Sequence, residues 1–454
     1  MIEKQAKDLI FGFDVSGSAI RMQAYENTQT TGLVLLNDEL IEQKITPGFA
    51  NIMGSLKSMI TDFVEHQKID VKSLKVGLGV PARFEGVKRG MPYYEQSSCK
   101  VQQRVSGIHL GADCVGKNWE KELQDSLKEV CKDCSVELYN DAGAQLRTML
   151  NLLQDTQPER YDKLKGKTVL YMGPGTGFGA AIADITRQGN VKVRLNSHAY
   201  DVLVEITPTQ EKNLHTLFDG KQNVRYMGEH QIQEIATQAK IDEFERLDEQ
   251  TYGKLFPLRD ENGKKNLYIL EKNGKKYIQP VRFFAGKDGI DHLLADEINQ
   301  GAELRVLGKM TPEAMESPKP DPNDYTYTDE ATNTAYQKLS LIGELMGNYI
   351  VQFQNGSLER LSLSKGVSNM PYDKGQQGLQ KLGGVMLGAT AMQDGIGAVL
   401  EQGIKKTTKQ HQATAPEQVD YYRPCKLQKD QTPDHASICH TAAMQVTASQ
   451  ALSR

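Results

Sequence analysis

Three short segments of the chain carry residues whose types and spacing could do chemistry. Residues 12–22 are GFDVSGSAIRM, residues 138–143 are LYNDAG, and residues 169–184 are VLYMGPGTGFGAAIAD. The first and third are apolar strands that run into turns of glycine and small polar residues, where backbone N–H groups can approach an anion closely. Asp141, in the second segment, lies where a strand ends and a helix begins. Together the segments predict a clamp for nucleotide phosphates with a carboxylate held beside it.

Asp141 admits two interpretations. Aspartate is a common N-cap of helices, and taken alone this interpretation would be preferred. Phosphoryl transfer to an alcohol, however, needs a base within hydrogen-bond reach of the acceptor hydroxyl, and a carboxylate fixed at a helix start can provide it. Because glycine turns flank Asp141 in the sequence, we interpret it as that catalytic base. Asn140 beside it offers an amide to a second hydroxyl of the acceptor.

The two glycine turns have the donors that a triphosphate needs. Their backbone N–H groups and the hydroxyl of Thr176 can bind phosphate oxygens. Asp14 can hold Mg²⁺ through water, since this ion takes one or two carboxylates plus water and phosphate oxygens. Neither turn has the spacing of a P-loop or of a dinucleotide-binding fingerprint. The residues predicted to bind the nucleotide from these turns are Asp14, Ser16, Gly17, Ser18, Gly173, Gly175, Thr176, Gly177 and Gly179.

The elements around these segments alternate between strand and helix patterns. Residues 8–15 and the following IRMQAYE predict a β-hairpin, and apolar residues at helical spacing predict a helix over 51–66. A buried strand is expected at 73–82 and a second helix at 119–132, followed by the strand that leads into Asp141. This alternation predicts an α/β core with a mixed sheet.

The later part of the chain is less regular. A hairpin closed at Asn273-Gly274 is predicted within 266–281, and a long core helix within 335–354. The segment 382–402 is rich in glycine and alanine and is expected to be helical near its end.

We expect the following division of the chain. An N-terminal α/β domain covers 1–146 and is completed by a C-terminal helix near 385–404. A larger α/β domain covers 147–384 and carries an insertion at about 245–323, and the polar residues 405–454 form a flexible tail.

Composition limits the possible partners and location. Hydrophobic residues make up 39% and charged residues 25% of 454 residues, and the net charge of −4 indicates neither a nucleic-acid nor an anionic membrane surface. No apolar run of eighteen residues predicts a membrane span, and the N-terminus lacks the apolar core of a signal peptide. We therefore expect a cytoplasmic protein, with non-classical secretion as an effector left open.

The cysteines give a weak signal. Cys131 and Cys134 form a CxxC, but no second pair lies at metal-ligand spacing, so a structural role is favoured over a metal or redox site. The cysteines and histidines of the polar tail match no standard zinc pattern.

The chemistry-bearing segments, taken in order, resemble the actin-like ATPase superfamily and, within it, bacterial glucokinases and the related ROK sugar kinases. FDVSGSAIRM resembles the first phosphate motif, D-[IV]-G-G-T-x-x-R, and VGLGVPA resembles the strand that ends in G-x-P-G. YNDAGAQ resembles the segment with the catalytic Asp, and YMGPGTGFGAAI is very similar to the second phosphate motif of glucokinases. LERLSLSKGVSNMP resembles the turn on the adenosine side, and GGVMLGATA at 383–391 resembles the closing glycine-alanine helix.

The resemblance implies a fold, a reaction and further site residues. The implied fold is α/β, a two-domain actin-like ATPase (ribonuclease H-like) fold with an interdomain cleft. The implied reaction transfers a phosphoryl group from ATP, with Mg²⁺, to a sugar hydroxyl, and a homodimer is possible. Gly366 is implied to lie on the adenosine side. The residues implied to bind the sugar are Asn118, Asn140, Tyr200 and Asp201.

The chain departs from the family pattern in the sugar-binding segment. The usual E-G-G-H segment aligns its Glu with Tyr200 and its His with Leu203, while Asp201 lies one position away from the Glu. A further sugar-binding Glu falls near Asn223, and Lys365 replaces the first glycine of the adenosine turn. The sugar specificity is therefore expected to be changed or lost. One alternative is a nucleotide-binding regulatory or effector protein of the same fold, and another is a kinase for a different acceptor.

Overall fold

The computed structural model of the chain describes well over half of its residues. The described residues are 6–16, 19–28, 32–37, 39–81, 83–84, 104–106, 110–114, 116–174, 178–194, 202–218, 223–228, 230–231, 234, 257, 260–279, 290–304, 307, 329–360, 382–388, 394–412 and 420–422. The chain divides into two compact units. The first contains residues 1–167, 181–197 and 427–454, and the second contains 168–180 and 198–426.

The described strands and helices are numbered here in chain order. The strands are β1 (Lys7–Val15), β2 (Ala19–Thr28), β3 (Gly32–Leu35), β4 (Ile41–Lys44), β5 (Val71–Val80), β6 (Arg83–Phe84), β7 (Arg104–Ser106), β8 (Lys117–Asn118), β9 (Cys134–Asn140), β10 (Thr168–Pro174), β11 (Phe178–Ile185), β12 (Val191–Val193), β13 (Val202–Glu205), β14 (Asn223–Gly228), β15 (Asn266–Lys272), β16 (Lys275–Ile278), β17 (Glu359–Arg360), β18 (Leu382–Leu387) and β19 (Asp420–Tyr422). The helices are α1 (Phe49–Gln67), α2 (Trp119–Leu127), α3 (Asp141–Thr156), α4 (Pro158–Asp162), α5 (Pro208–Phe218), α6 (Ile290–Leu293), α7 (Ala295–Asn299), α8 (Glu330–Gln354) and α9 (Asp394–Gln412), and a short 3-10 helix lies at Ala112–Cys114.

The first sheet has the strand order β3-β2-β1-β5-β9, and β4 also pairs with β2. The predicted hairpin is confirmed, since β1 pairs antiparallel with β2 from Leu9–Glu26 to Val15–Ile20. β5 and β9 then add in parallel to β1. The sheet therefore combines an antiparallel meander, β3-β2-β1, with the parallel strands β5 and β9. The predicted α/β class is confirmed.

Helices cover this sheet because their apolar residues recur every three to four positions. α1 buries the residues that the spacing predicts, Ile52, Leu56, Met59, Ile60 and Phe63. α2 is shorter than predicted, ending at Leu127 instead of Lys132. The Asp133 carbonyl accepts a hydrogen bond from the Leu74 N–H at 2.8 Å, and Cys134 already pairs with Leu74. Strand pairing at Cys134 therefore requires the helix to end before it.

A second sheet has the strand order β12-β11-β10-β18-β19. The sequence analysis expects residues 383–391 to belong to a helix, but 382–387 form β18, which pairs in parallel with β10 on one side and β19 on the other. Every residue of β10 and of β18 is buried. A strand covered on both faces has a continuous apolar run without alternation, so its sequence can be mistaken for a buried helix.

A third sheet has the order β14-β15-β16-β13-β17, and β6, β7 and β8 form a small separate sheet. The hairpin predicted at Asn273-Gly274 is confirmed, with β15 and β16 joined through φ values of 51° and 73° at these two residues. Positive φ at both positions is typical of a type I′ turn. The hairpin lies inside the stretch expected to be an insertion, and it belongs to this sheet.

α8 and α9 pack along each other within the second unit. A Cβ on Gly343 of α8 would overlap the Leu400 carbonyl of α9, and a Cβ on Gly403 would overlap the Ser340 carbonyl. Glycine at these positions lets the two backbones approach closely. The sequence analysis instead expects this C-terminal helix to complete the first domain.

The expected polar tail begins later than the sequence analysis proposes. α9 continues past Lys405 through Gln412 because Thr407 and Thr408 are buried. The Thr407 hydroxyl donates to the Glu344 carbonyl of α8, and β19 at Asp420–Tyr422 joins the second sheet. Among the residues described, no helix combines the length and apolar character needed to cross a membrane.

Candidate active site

The predicted base and the predicted metal ligand of the first sheet lie at one edge. β1, β5 and β9 are parallel, with Asp14 opposite Gly79 and Asn140 opposite Val80. The carboxyl ends of all three strands therefore lie at the same edge, where open α/β sheets bind ligands. One strand separates β1 from β9, so the backbones at Asp14 and Asn140 are about 10 Å apart.

Asp14 is buried at this edge and contacts a cation. The Arg21 Nη1 lies 3.5 Å from Asp14 Oδ2, and Arg21 Nε donates to Glu42 Oε2 at 2.7 Å. The three residues form a row across β1, β2 and β4, because Asp14 pairs with Arg21 and Arg21 with Glu42 in the strand registers. The sequence analysis does not assign a role to Arg21. Its signal is its position opposite Asp14 in the hairpin.

Ser16 closes the turn between β1 and β2. Its N–H and its hydroxyl both donate to the Ala19 carbonyl at 2.9 Å, and the Ala19 N–H donates to the Ser16 Oγ at 3.1 Å. The hydroxyl that the sequence analysis assigns to nucleotide binding therefore also shapes the turn. Gly17 and Ser18 lie outside the described residues.

α3 begins at the predicted base. Asn140, not Asp141, is the N-cap, since Asn140 Oδ1 accepts from the Gly143 N–H at 3.1 Å. Asp141 is the first residue of the helix, and its Oδ1 accepts from the Ala142 N–H at 2.7 Å. A negative carboxylate is favoured at a helix N-terminus because the unpaired N–H groups carry partial positive charge. The N-cap interpretation of Asp141 is thus wrong, and its carboxylate is oriented by backbone at the sheet edge.

Asn118 is the N-cap of α2, with its Oδ1 accepting from the Lys121 N–H at 3.0 Å. Two side chains of α2 bond to β9. The Leu138 N–H donates to Glu120 Oε1 at 3.1 Å, and Gln124 Nε2 donates to the Cys134 carbonyl at 2.7 Å. Glu120, near the start of α2, contacts the end of β9, and Gln124, further along α2, contacts the start of β9. The helix and the strand therefore run antiparallel. The N-terminus of α2 therefore lies toward the same edge as the N-terminus of α3.

Glu120 is a titratable group of this edge that the sequence analysis missed. Burial raises the pKa of its carboxyl, the bond from the Leu138 N–H lowers it and the nearby Glu137 carboxylate raises it, so that the pKa is about 7. A glutamate in the first turn of a helix is so common that its sequence position gives no signal. Only its half-buried contact with β9 distinguishes it.

The second glycine turn follows β10. Gly173 is a buried residue of β10, and Gly179 belongs to β11, so neither forms the turn itself. A Cβ on Gly173 would lie 2.8 Å from the Tyr171 Cζ, and a Cβ on Gly388 would lie 2.9 Å from the same atom. The Tyr171 ring thus occupies the space that side chains at both glycines would fill. Packing accounts for Gly173, where the sequence analysis expects close approach of phosphate.

Several predicted site residues lie outside the described part of the chain. They are Gly17, Ser18, Gly175, Thr176, Gly177, Tyr200, Asp201 and Gly366. Of the departures from the family pattern, Leu203 is buried in β13 with 1% exposure. Asn223 donates from Nδ2 to Asp260 Oδ2 at 2.8 Å and to Asn266 Oδ1 at 3.1 Å.

The CxxC is structural. Cys131 and Cys134 are buried in the core of the first unit, and burial raises the pKa of both thiols, to about 12 at Cys134. The nucleophilic thiolate is therefore strongly disfavoured. Within the described part of the chain, no three His, Cys, Asp or Glu side chains come together as a metal site.

Comparisons with known proteins give structural matches alone. No protein-family model and no curated protein sequence matches the chain. It is similar to a ROK hexokinase from Thermus thermophilus, with 12% identity and a TM-score of 0.43 over 98% of this chain and 99% of that one. It is similar to the glucokinase from Balamuthia mandrillaris in complex with glucose, with 13% identity and a TM-score of 0.47 over 98% and 95%.

A third solved structure is a ROK family transcriptional regulator, a homologue of the E. coli MLC protein. The similarity has 11% identity and a TM-score of 0.41, over 98% of this chain and 81% of that one. The matched structures thus include sugar kinases, glucokinases and a regulator. Since each of these TM-scores is below 0.5, the α/β class rests on the strand order and directions described above.

Proposed function

We propose that the protein is an ATP-dependent kinase that transfers the γ-phosphoryl group to a sugar hydroxyl, as glucokinases do when they form hexose 6-phosphate and ADP. One observation carries the proposal. Asp14 and Asp141 lie at the carboxyl edge of β1 and β9, in the sheet where these strands run parallel, with α3 beginning at Asp141. That edge combines an anchor for the phosphates with a base for the acceptor.

Asp141 takes the proton of the acceptor hydroxyl in this proposal. The acceptor oxygen then forms its bond to the γ-phosphorus while the bond between that phosphorus and the β–γ bridging oxygen breaks, and ADP leaves. The bond from the Ala142 N–H to Asp141 Oδ1 fixes the orientation of the carboxylate. Because the backbone already orients this carboxylate, binding of the acceptor does not have to order it.

The phosphate side of the proposal rests on the turn between β1 and β2. The carboxylate of Asp14 is a hard oxygen donor and fits a water-mediated hold on Mg²⁺, which keeps several waters and bridges substrate phosphates. When bound, Mg²⁺ would neutralise charge on the phosphates. The second glycine turn with Thr176, and Gly366 for the adenosine, stay predictions.

The acceptor side would use Asn118 and Asn140. In both residues Oδ1 accepts the hydrogen bond that caps a helix, so a sugar hydroxyl would accept a hydrogen bond from Nδ2. The identity of the hexose, a contribution from Tyr200 or Asp201, a homodimer and a cytoplasmic location are parts of the proposal that rest on the sequence.

Two observations favour the alternative of a nucleotide-binding regulatory or effector protein. Leu203, where the family pattern has a sugar-binding His, is buried in β13. Asn223, where a sugar-binding Glu is expected, holds Asp260 and Asn266 through its amide group. Neither residue can replace the carboxylate or imidazole contact to a hexose.

Coupled measurement of ADP release with a panel of hexoses separates the two functions. The kinase proposal predicts that at least one hexose stimulates ADP release well above the rate with ATP alone. If no hexose or other alcohol stimulates release while ATP still raises the melting temperature, the protein is a nucleotide binder. If ATP neither turns over nor raises the melting temperature, both functions are wrong.

A further inference from the structure

Two side chains of α2 form hydrogen bonds to β9 along the side of the strand that does not pair with β5. In a strand, the N–H and C=O of one residue point to the same side, and successive residues alternate. The Cys134 carbonyl and the Leu138 N–H thus belong to the same side, opposite the side that pairs with β5. Gln124 and Glu120, one turn apart on α2, bond to these two groups.

The two contacts hold different ends of the same strand. Gln124 contacts β9 at its first residue, far from the sheet edge that carries the candidate site. Glu120 contacts Leu138, two residues before Asn140 and three before Asp141. Because Asn140 caps α3 through the Gly143 N–H, a shift at the end of β9 would move the cap and Asp141 together.

Glu120 itself has an anchored backbone. It is the second residue of α2, directly after the buried Trp119, and Asn118 caps the helix beneath it. Trp119 packs edge-on against Phe49 of α1, with ring centroids 5.9 Å apart. The carboxyl group is therefore presented to Leu138 by a helix end that is fixed at both its cap and its core residue.

From this geometry we infer that Glu120 is a positioning residue for the phosphoryl transfer, which fixes Asp141 through its bond to the end of β9. The inference rests on the proposed function. Glu120 touches neither acceptor nor nucleotide in this account, and its effect is exerted through the backbone of Leu138, Asn140 and Asp141. A glutamine at position 120 keeps a carbonyl oxygen that can accept from Leu138, whereas a leucine keeps the volume and loses the acceptor.

The test compares three variants of the full chain, Glu120→Leu, Glu120→Gln and Gln124→Leu. Gln124→Leu is the matched control, because it removes the same kind of contact between α2 and β9 at the other end of the strand. We expect Glu120→Leu to lower kcat about 10- to 100-fold, as for a small misplacement of a catalytic group, with little change in the KM for ATP. Glu120→Gln should retain most of the kcat, and Gln124→Leu should retain it despite a similar change in melting temperature.

A second measurement does not depend on turnover. Hydrogen exchange of the peptide that covers 138–146 reports the Leu138 and Gly143 amides, and Glu120→Leu should speed it at least tenfold where Gln124→Leu does not. The inference is overturned if Glu120→Leu keeps its kcat, if Gln124→Leu loses kcat equally, or if exchange over 138–146 is unchanged. Absence of hexose-stimulated turnover in the wild type would overturn the proposed function, and the exchange result would then decide on Glu120 alone.

Discussion

The carboxyl edge of the first sheet and the strands of the second sheet differ in the side chains that they bring together. At the first edge, Asp14 pairs with Arg21, the Asp141 carboxylate accepts from the Ala142 N–H, and Glu120 bonds to the end of β9. In the second sheet, Gly173 makes room for the buried ring of Tyr171. The comparison teaches that a glycine-rich pattern in the sequence does not by itself indicate a phosphate site, since packing against Tyr171 accounts for Gly173. Substitutions in the first region should change catalysis, and those in the second should change stability.

The largest effect on stability is expected where α8 and α9 touch through glycine. Gly343→Ala places a Cβ against the Leu400 carbonyl, which is backbone and cannot rotate away. We expect a loss of about 2–4 kcal/mol in the free energy of unfolding. Chemical denaturation measures it.

Gly54 of α1 is the matched control for Gly343. A Cβ there would meet no atom within 4 Å, so Gly54→Ala should stabilise the protein by up to about 1 kcal/mol through helix propensity. Equal losses for the two variants would contradict the contact with the Leu400 carbonyl as the cause of the loss at Gly343.

Gly173→Ala should destabilise the protein by about 1–3 kcal/mol, because its Cβ would overlap the Tyr171 ring. The same change in a Tyr171→Ala background should cost much less, which gives a coupling energy of about 1–2 kcal/mol in a double-mutant cycle. Denaturation of the four proteins measures the cycle. If Gly173→Ala instead weakens ATP binding equally in both backgrounds, the glycine serves the phosphates.

Glu120 should make stability depend on pH. The carboxyl titrates near 4.5 when the chain is unfolded and near 7 in the fold. Between these values the unfolded chain releases a proton that the folded protein keeps, so the free energy of unfolding falls as pH rises from about 4.5 to 7. Glu120→Gln removes this contribution. The difference in free energy of unfolding between Glu120→Gln and the wild type should therefore shift in favour of the variant by about 1–3 kcal/mol from pH 4.5 to pH 8. A difference that does not vary with pH would contradict the raised pKa of the Glu120 carboxyl.

The smallest effects are expected at the two caps of the first unit. Asn118→Ala and Asn140→Ala each remove a side-chain acceptor from a helix N-terminus, and each should cost about 1 kcal/mol of stability. Thermal unfolding measures both. Because Asn140 directly precedes the proposed base, we expect Asn140→Ala to lower turnover more than Asn118→Ala. Equal turnover in the two variants would weaken that assignment.

Local patterns predicted several elements of both units well. The β1–β2 hairpin and the burial of α1 follow from apolar spacing, and the Asn-Gly turn between β15 and β16 follows from its φ requirement. These signals are local in sequence, so no knowledge of distant contacts is needed.

The wrong predictions arise where contacts between segments far apart in the sequence decide the structure. β18 was mistaken for helix because every one of its residues is buried, although it pairs with β10 and β19. α9 extends past Lys405 because Thr407, near its end, is buried and bonds to α8. Ser16, Asn140 and Gly173 were assigned ligand contacts, while the fold also uses them in a turn, a cap and a packing contact. Glu120 gave no signal because its burial depends on β9, which lies on a later segment of the chain.

The most direct test of the central claim is the turnover of Asp141→Asn with a hexose that the wild type phosphorylates. The account predicts a fall in kcat of about 10²–10⁴-fold, the range for loss of a general base. The melting temperature should stay close to that of the wild type, and the Kd for ATP should stay within about threefold, less than about 0.7 kcal/mol. A kcat equal to that of the wild type would contradict the assignment of Asp141 as the base.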